Sequence, residues 1–401
     1  MSGIALATVA EHRTASPRGD RVEVELKELE ERVVCDVAGG NSRGFAPRRP
    51  AAQDCLSRLA GITGEREGTG RGDAVKARGG EMRRCPRLIG WGRHAAIALS
   101  AAALALAAPA AAQGALPVVY SSVVADAYAS AHVNGPPPGA NDWSCSPTAQ
   151  HPYPVVLVPG TLESMAGNWY TLSSLLSNEG YCVFAVNYGQ EAGRVVGFPG
   201  ALPAGGTGPI AASAGELAAF VERVLSATGV AKVDIVGHSQ GGMMPRYYLK
   251  FLGGAQRVHT LVGLSPSNHG TTVDGLTSLL ALLPGGPETG ALELVCGPSC
   301  EEQFVGSPFL TKLNAGGDTV PGVGYTVIET RYDEVVTPYT SAFLSGPDVT
   351  NIELQQQCSL DASEHLATPF DHVALRDVLN ALDPAQAQAP SCGLVAPIVG
   401  G

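Results

Sequence analysis

Val233-Asp-Ile-Val-Gly-His-Ser-Gln-Gly-Gly242 is the stretch that decides how this chain folds. Its apolar start, Val233 to Val236, reads as a buried strand, and the residues from Gln240 towards Leu252 read as a helix. Between them lies Gly237-His238-Ser239-Gln240-Gly241. Strand, tight turn and helix together are the context in which Gly-x-Ser-x-Gly forms a nucleophile elbow. The serine stands on a strained corner, and small residues two before and two after it keep β-carbons out of the crowded turn. In a chain with 50 glycines the five-residue pattern alone carries little weight. The flanking strand and helix separate it from an ordinary glycine-rich turn with a surface serine.

The neighbouring segments extend the pattern. Pro154-Val-Val-Leu-Val-Pro-Gly160 is a continuous apolar run before a turn, as expected of a central parallel strand. Further strands are predicted at 182–188, 258–264, 325–332 and 349–354, and helices at 169–178, 213–227 and 368–382. Residues 113–150 read as an arm wrapped on the domain, and Gly189 to Pro209 as a glycine-rich loop. Strands alternating with helices predict an α/β fold, a mostly parallel central sheet with helices on both faces. Thr277 to Gly286, between the elbow and the later strands, is expected either to form a small lid or cap or to be an ordinary packed helix.

A serine hydroxyl is a weak nucleophile at neutral pH; it needs a base, and the base needs an orienting carboxylate. With this elbow the partners follow in the order serine, acid, histidine. Asp333 is the favoured acid because it directly follows the strand predicted at 325–332. Glu334 is its rival, and Asp318 has no strand before it. Two histidines follow, His365 and His372. Thr368 reads as a helix N-cap, with Pro369 at the first helical position and Asp371 completing a capping box. That grammar places His372 inside the last helix and leaves His365 in the loop before it, free to reach the serine. His238 is set aside because, beside the nucleophile, it is expected to point away. The oxyanion of a tetrahedral intermediate needs two donors. The N–H of Gln240 is one, and Thr161 in Pro159-Gly160-Thr161 offers its N–H and its hydroxyl as the other.

Composition divides the chain. Residues 1–112 carry a net charge of +4, and residues 113–401 carry −15, which excludes a nucleic-acid binder by charge. Four arginines (83, 84, 87 and 93), the uncharged run Ala95 to Ala108 and Ala110-Ala111-Ala112 read together as a secretory signal peptide. The run is too short to span a membrane, so no transmembrane segment is expected in the mature chain. Met82 just precedes this signal, so residues 1–81 are expected to be a non-native or disordered extension, 82–112 the signal peptide and 113–401 the folded domain. After the cleavage point six cysteines remain, an even number that reads as three disulfides in an exported protein. Cys296 and Cys300 are expected to close a small loop, leaving Cys145–Cys182 and Cys358–Cys392. No further ligands near Cys296 complete a metal site.

The stretches 156–161, 181–188, 237–242, 267–272, 333–336 and 364–366 resemble secreted bacterial lipases and esterases of the α/β-hydrolase superfamily, in particular the actinobacterial class-2 group. The likeness covers residues 145–392. Where members often have His-Gly, this chain has Pro159-Gly160. The resemblance implies an α/β-hydrolase fold and hydrolysis of carboxylic esters without a cofactor or metal. It implies Ser239, Asp333 and His365 as triad, with Thr161 and Gln240 as oxyanion donors. An ester or lipid is the expected partner, with transient contact at a lipid interface. Hydrolysis of polymeric esters, as by a cutinase, and a catalytically silent binding protein on the same fold are the alternatives.

Overall fold

A computed structural model describes residues 114–190, 205–272, 274, 275, 277, 278 and 292–401. The segments expected to be a signal peptide (82–112) and an extension (1–81) lie outside the described residues, as do all residues of the Thr277–Gly286 segment except Thr277 and Ser278.

The core is a six-stranded sheet in the order β2-β1-β3-β4-β5-β6, with every pairing parallel. The strands are β1 (Val155–Val158), β2 (Val183–Ala185), β3 (Val233–His238), β4 (Val258–Leu264), β5 (Gly324–Glu329) and β6 (Val349–Glu353). The helices are α1 (Ser122–Ala131), α2 (Tyr170–Asn178), α3 (Ile210–Thr228), α4 (Gln240–Phe251), α5 (Leu292–Glu302), α6 (Pro308–Asn314) and α7 (His372–Leu382). This is the parallel α/β architecture, with helices on both faces of the sheet, expected from the alternating pattern.

The apolar runs are continuous because both faces of the sheet are covered. In β1, Val156 and Val158 pack with α3 and α4 residues such as Leu217, Val221 and Met243. Val155 and Leu157 point the other way, onto Leu172 and Leu176 of α2 and Val373 and Val378 of α7. Three disulfides form with the expected pairing, Cys145–Cys182, Cys296–Cys300 and Cys358–Cys392.

Three elements differ from expectation. The N-terminal arm contains α1, whose small buried residues Ala125 and Ala129 let it sit close against the helical turn at Met165–Asn168. β5 ends at Glu329, so Asp333 reaches its position from a turn beyond the strand, held by its N–H to Thr330 O at 3.2 Å. The last helix begins later than its sequence grammar indicates. Thr368–Phe370 is a separate 3₁₀ turn, and Asp371 is the N-cap of α7, accepting from Val373 N–H at 2.8 Å. An aspartate in extended conformation satisfies one of the orphan donors of the first turn, and here it outcompetes the Thr-Pro start.

Candidate active site

The sheet brings the carboxyl ends of β1, β3, β4 and β5 to one edge, where parallel α/β sheets open a crevice. Backbone strain collects there. Leu162 (φ 65°), Ser239 (φ 54°) and Ser265 (φ 44°) are non-glycine residues in the left-handed region, and each lies just past the end of a strand. Such conformations cost on the order of 1–3 kcal/mol each and persist only where the surroundings enforce them.

The elbow's glycines are required by contact distance. A β-carbon on Gly237 would lie 1.9 Å from the Gly241 carbonyl oxygen, and one on Gly241 would lie 2.2 Å from the carbonyl oxygen of Val158. These are backbone atoms and cannot step aside. Pro245, four residues on inside α4, has no N–H to offer the Gly241 carbonyl. We expect Gly241→Ala to destabilise the fold by at least ~3 kcal/mol, the upper end for an overpacked site. Gly215→Ala on α3, where a β-carbon meets nothing within 4 Å, should instead stabilise by ~0.5–1 kcal/mol. Denaturant unfolding of the two variants separates contact from mere loss of glycine.

Ser239 is 5% exposed and its N–H donates to Leu264 O at 2.9 Å, which ties the elbow to the end of β4. Gln240 opens α4, so its N–H is one of the donors that a helix's first turn leaves without an intrahelical acceptor. Asp333 and His365 are brought together from turns 32 residues apart in sequence. His365 Nδ1 lies 2.7 Å from Asp333 Oδ2, and both side chains are buried. The other Asp333 oxygen accepts from Val335 N–H at 2.8 Å and Val336 N–H at 2.6 Å. His365 Nε2 is buried with no hydrogen-bond partner among the described residues. Burial opposes the charged imidazole, but the Asp333 carboxylate together with Glu334 and Glu163 outweighs it and raises His365 to about 9. Glu334, the rival acid, is pushed up to about 7 by burial and by the Glu364 carboxylate. Asp318 is elsewhere, accepting from Arg246 Nη2 at 3.4 Å and lying 3.0 Å from His269 Nε2.

His372 is bound away from the elbow. Its ring nitrogens lie 2.7 Å from Gly401 O and 2.8 Å from Ser391 O, so it pins the C-terminal segment to α7.

Thr161 sits beside Gln240, but its hydroxyl is engaged. It donates to Gln240 Oε1 at 2.6 Å and accepts from Gln303 Nε2 at 3.1 Å, and Gln303 Oε1 in turn accepts from Ser267 Oγ at 2.8 Å. The expected hydroxyl donor is therefore turned onto a side chain. Gln303 escaped the sequence reading because it belongs to no motif; only the fold brings it within reach of Thr161.

His238 also does more than its sequence position suggests. It is 1% exposed, and its Nε2–H donates to the His365 backbone carbonyl at 3.0 Å. Its Nδ1 lies 2.9 Å from Glu163 Oε2, which also accepts the Gly160 N–H at 2.9 Å. One imidazole thus links the elbow, the Gly160 loop and the His365 loop. A histidine inside a Gly-x-Ser-x-Gly motif was the available signal, but its partners lie 75 and 127 residues away.

Residues 152–375 match the model of the family described as Lipase (class 2). The chain belongs to this family. Within it, a 100-residue stretch is 35% identical to a triacylglycerol lipase of Pseudarthrobacter phenanthrenivorans, covering 24% of this chain and 27% of that protein. A 100-residue stretch is likewise 35% identical to a triacylglycerol lipase of Burkholderia plantarii, covering 24% of each. The matches span about a quarter of the length of these curated relatives. Among solved structures, this class 2 lipase family member is similar to Aspergillus fumigatus lipase B, with a TM-score of 0.47 and 21% identity over 64% of this chain and 56% of that one.

Proposed function

We propose that this chain hydrolyses carboxylic esters, triacylglycerols among them, through an acyl-enzyme on Ser239. The observation that carries the proposal is the buried His365 Nδ1 to Asp333 Oδ2 contact of 2.7 Å, made in a fold whose elbow holds Ser239 at φ 54°. Asp333 accepts from Nδ1–H, which leaves Nε2 as the basic nitrogen. His365 takes the Ser239 proton as Oγ attacks the ester carbonyl, and returns it to the leaving alkoxide. Asp333 stabilises the imidazolium formed in between. The N–H groups of Gln240 and Thr161 receive the oxyanion; one such donor contributes ~3 kcal/mol to lowering the barrier. Water then attacks the acyl-enzyme by the same route in reverse. No step calls for a metal or cofactor.

The test is a chain-length series of p-nitrophenyl esters and triacylglycerols, together with a serine-directed phosphonate. Turnover with phosphonate attached to Ser239 supports the reading; phosphonate on another residue, or no turnover across the series, overturns it.

The pH dependence follows from His365. The base must be neutral to act, and its raised pKa keeps it protonated below about 9. We expect kcat/KM to climb with pH through an apparent pKa above the ordinary histidine value of ~6.5. Stability should run the other way. His365, with Asp371 pushed to about 8 by burial and the Asp361 carboxyl, binds protons more tightly folded than unfolded. The stability these groups contribute is full at low pH, Asp371's share being lost from about pH 4 to 8 and that of His365 from about 6.5 to 9. Initial rates and thermal melts across that range check both signs.

We also propose that the protein is exported through the segment Met82–Ala112. Three disulfides suit an oxidising compartment, and among the described residues no helix is long and apolar enough to cross a membrane. N-terminal sequencing of the secreted protein tests the cleavage before Gln113.

A further inference from the structure

Glu329 closes β5 and is fully buried, yet the reaction proposed above makes no use of it. No cation approaches it: among the described residues it belongs to no ion pair. Its Oε1 accepts from Thr330 N–H at 2.8 Å and from Ser265 Oγ at 3.2 Å. The second donor is set by strain, because Ser265 is a non-glycine residue with positive φ, its N–H held on Ile328 O at 2.9 Å. Oε2 receives no donor. The charged group that bears on this side chain is the Asp333 carboxylate. Two carboxyl groups can share a hydrogen bond only if one of them carries a proton.

The surroundings decide which one. Asp333 already has two backbone N–H donors on Oδ1 and the His365 ring on Oδ2, so both of its oxygens are engaged as acceptors. Glu329 has two neutral donors on one oxygen and none on the other. Burial and the Asp333 charge both push it well above the carboxylate range. The other titratable groups around this pair are Glu334, which faces His365 and Asp333, and Tyr339, which feels Glu329.

We propose that Glu329 is a neutral carboxylic acid whose O–H donates to the Asp333 carboxylate, a positioning residue that holds the acid of the Asp333–His365 pair in place and tempers its basicity. An anion sharing its charge with a further donor supports an imidazolium less strongly, so Glu329 sets how readily His365 loses its proton. The inference rests on the assignment of His365 as base.

Two measurements test it. The first is the pH profile of kcat/KM on a soluble p-nitrophenyl ester. Glu329→Gln keeps an N–H donor, and its acid limb should stay in place. Glu329→Leu removes the donor, and its acid limb should move to higher pH by about one unit. An ionised Glu329 would give the opposite sign: both variants would remove a negative charge beside His365, and both limbs would move to lower pH. That result overturns the proposal. The second is the infrared difference between the wild type and Glu329→Gln at neutral pH. A protonated carboxyl C=O band should be present in the wild type and lost in the variant, with Asp371 and Glu334 cancelling; its absence also overturns the proposal. If Glu329→Leu does not fold, the profile of Glu329→Gln and the infrared band decide. The infrared measurement uses no substrate, so a band in a protein that cleaves no ester supports the neutral carboxyl and rejects only the hydrolase reading.

Discussion

Ser239→Ala is expected to lower kcat/KM for ester cleavage by on the order of 10⁶-fold, the loss seen when the nucleophile of such a triad is removed. The fold should be untouched. Alanine keeps the β-carbon, so it meets the same φ of 54° and the same contacts as serine. Only the hydroxyl is lost, from a side chain that is 5% exposed. Thermal melts should therefore coincide with those of the wild type, and a serine-directed phosphonate should no longer label the protein. Hydrolysis surviving in the variant would place the nucleophile elsewhere.

The second large effect concerns the two late histidines. His365→Ala is expected to cost on the order of 10⁶-fold in kcat, since serine and base act as a unit and losing either is nearly as damaging as losing both. His372→Ala should leave turnover close to that of the wild type and instead lower stability by ~1 kcal/mol per hydrogen bond lost. The reason is structural: His365 contacts Asp333 at 2.7 Å, whereas His372 bonds the carbonyls of Gly401 and Ser391. Parallel kinetics and denaturant unfolding check the pair. An active His365→Ala beside a dead His372→Ala would reverse the assignment.

The choice of His365 came from a helix-start argument whose details changed in three dimensions. Thr368 was expected as N-cap, but Asp371 holds that place. Either start leaves His365 in the preceding loop. Asp333 is similar. Its strand ends at Glu329, three residues early, yet a turn closed by Thr330 O returns Asp333 to the sheet's edge. Local propensity places such boundaries poorly, because cap and turn compete over energies of ~1 kcal/mol that tertiary contacts readily exceed.

Glu329, His238, Glu163 and Gln303 were not legible as parts of the site. Each is an ordinary residue by type and neighbours, and each matters through a partner 4 to 142 residues distant. The hydroxyl of Thr161 belongs here too: sequence offers it as a donor, and packing commits it to Gln240 Oε1.

By itself the sequence determined the parallel α/β sheet, the elbow at Ser239 and the disulfide pairing. These follow from features local to the chain: continuous apolar runs, glycines where a β-carbon would strike backbone, and cysteine spacing. Only the tertiary structure decided how Asp333 and His365 meet, which groups hold them, and that a second, fully buried carboxyl lies against Asp333. Hydrogen bonds and charge interactions act over a few ångströms in space, and spacing along the chain carries no record of them.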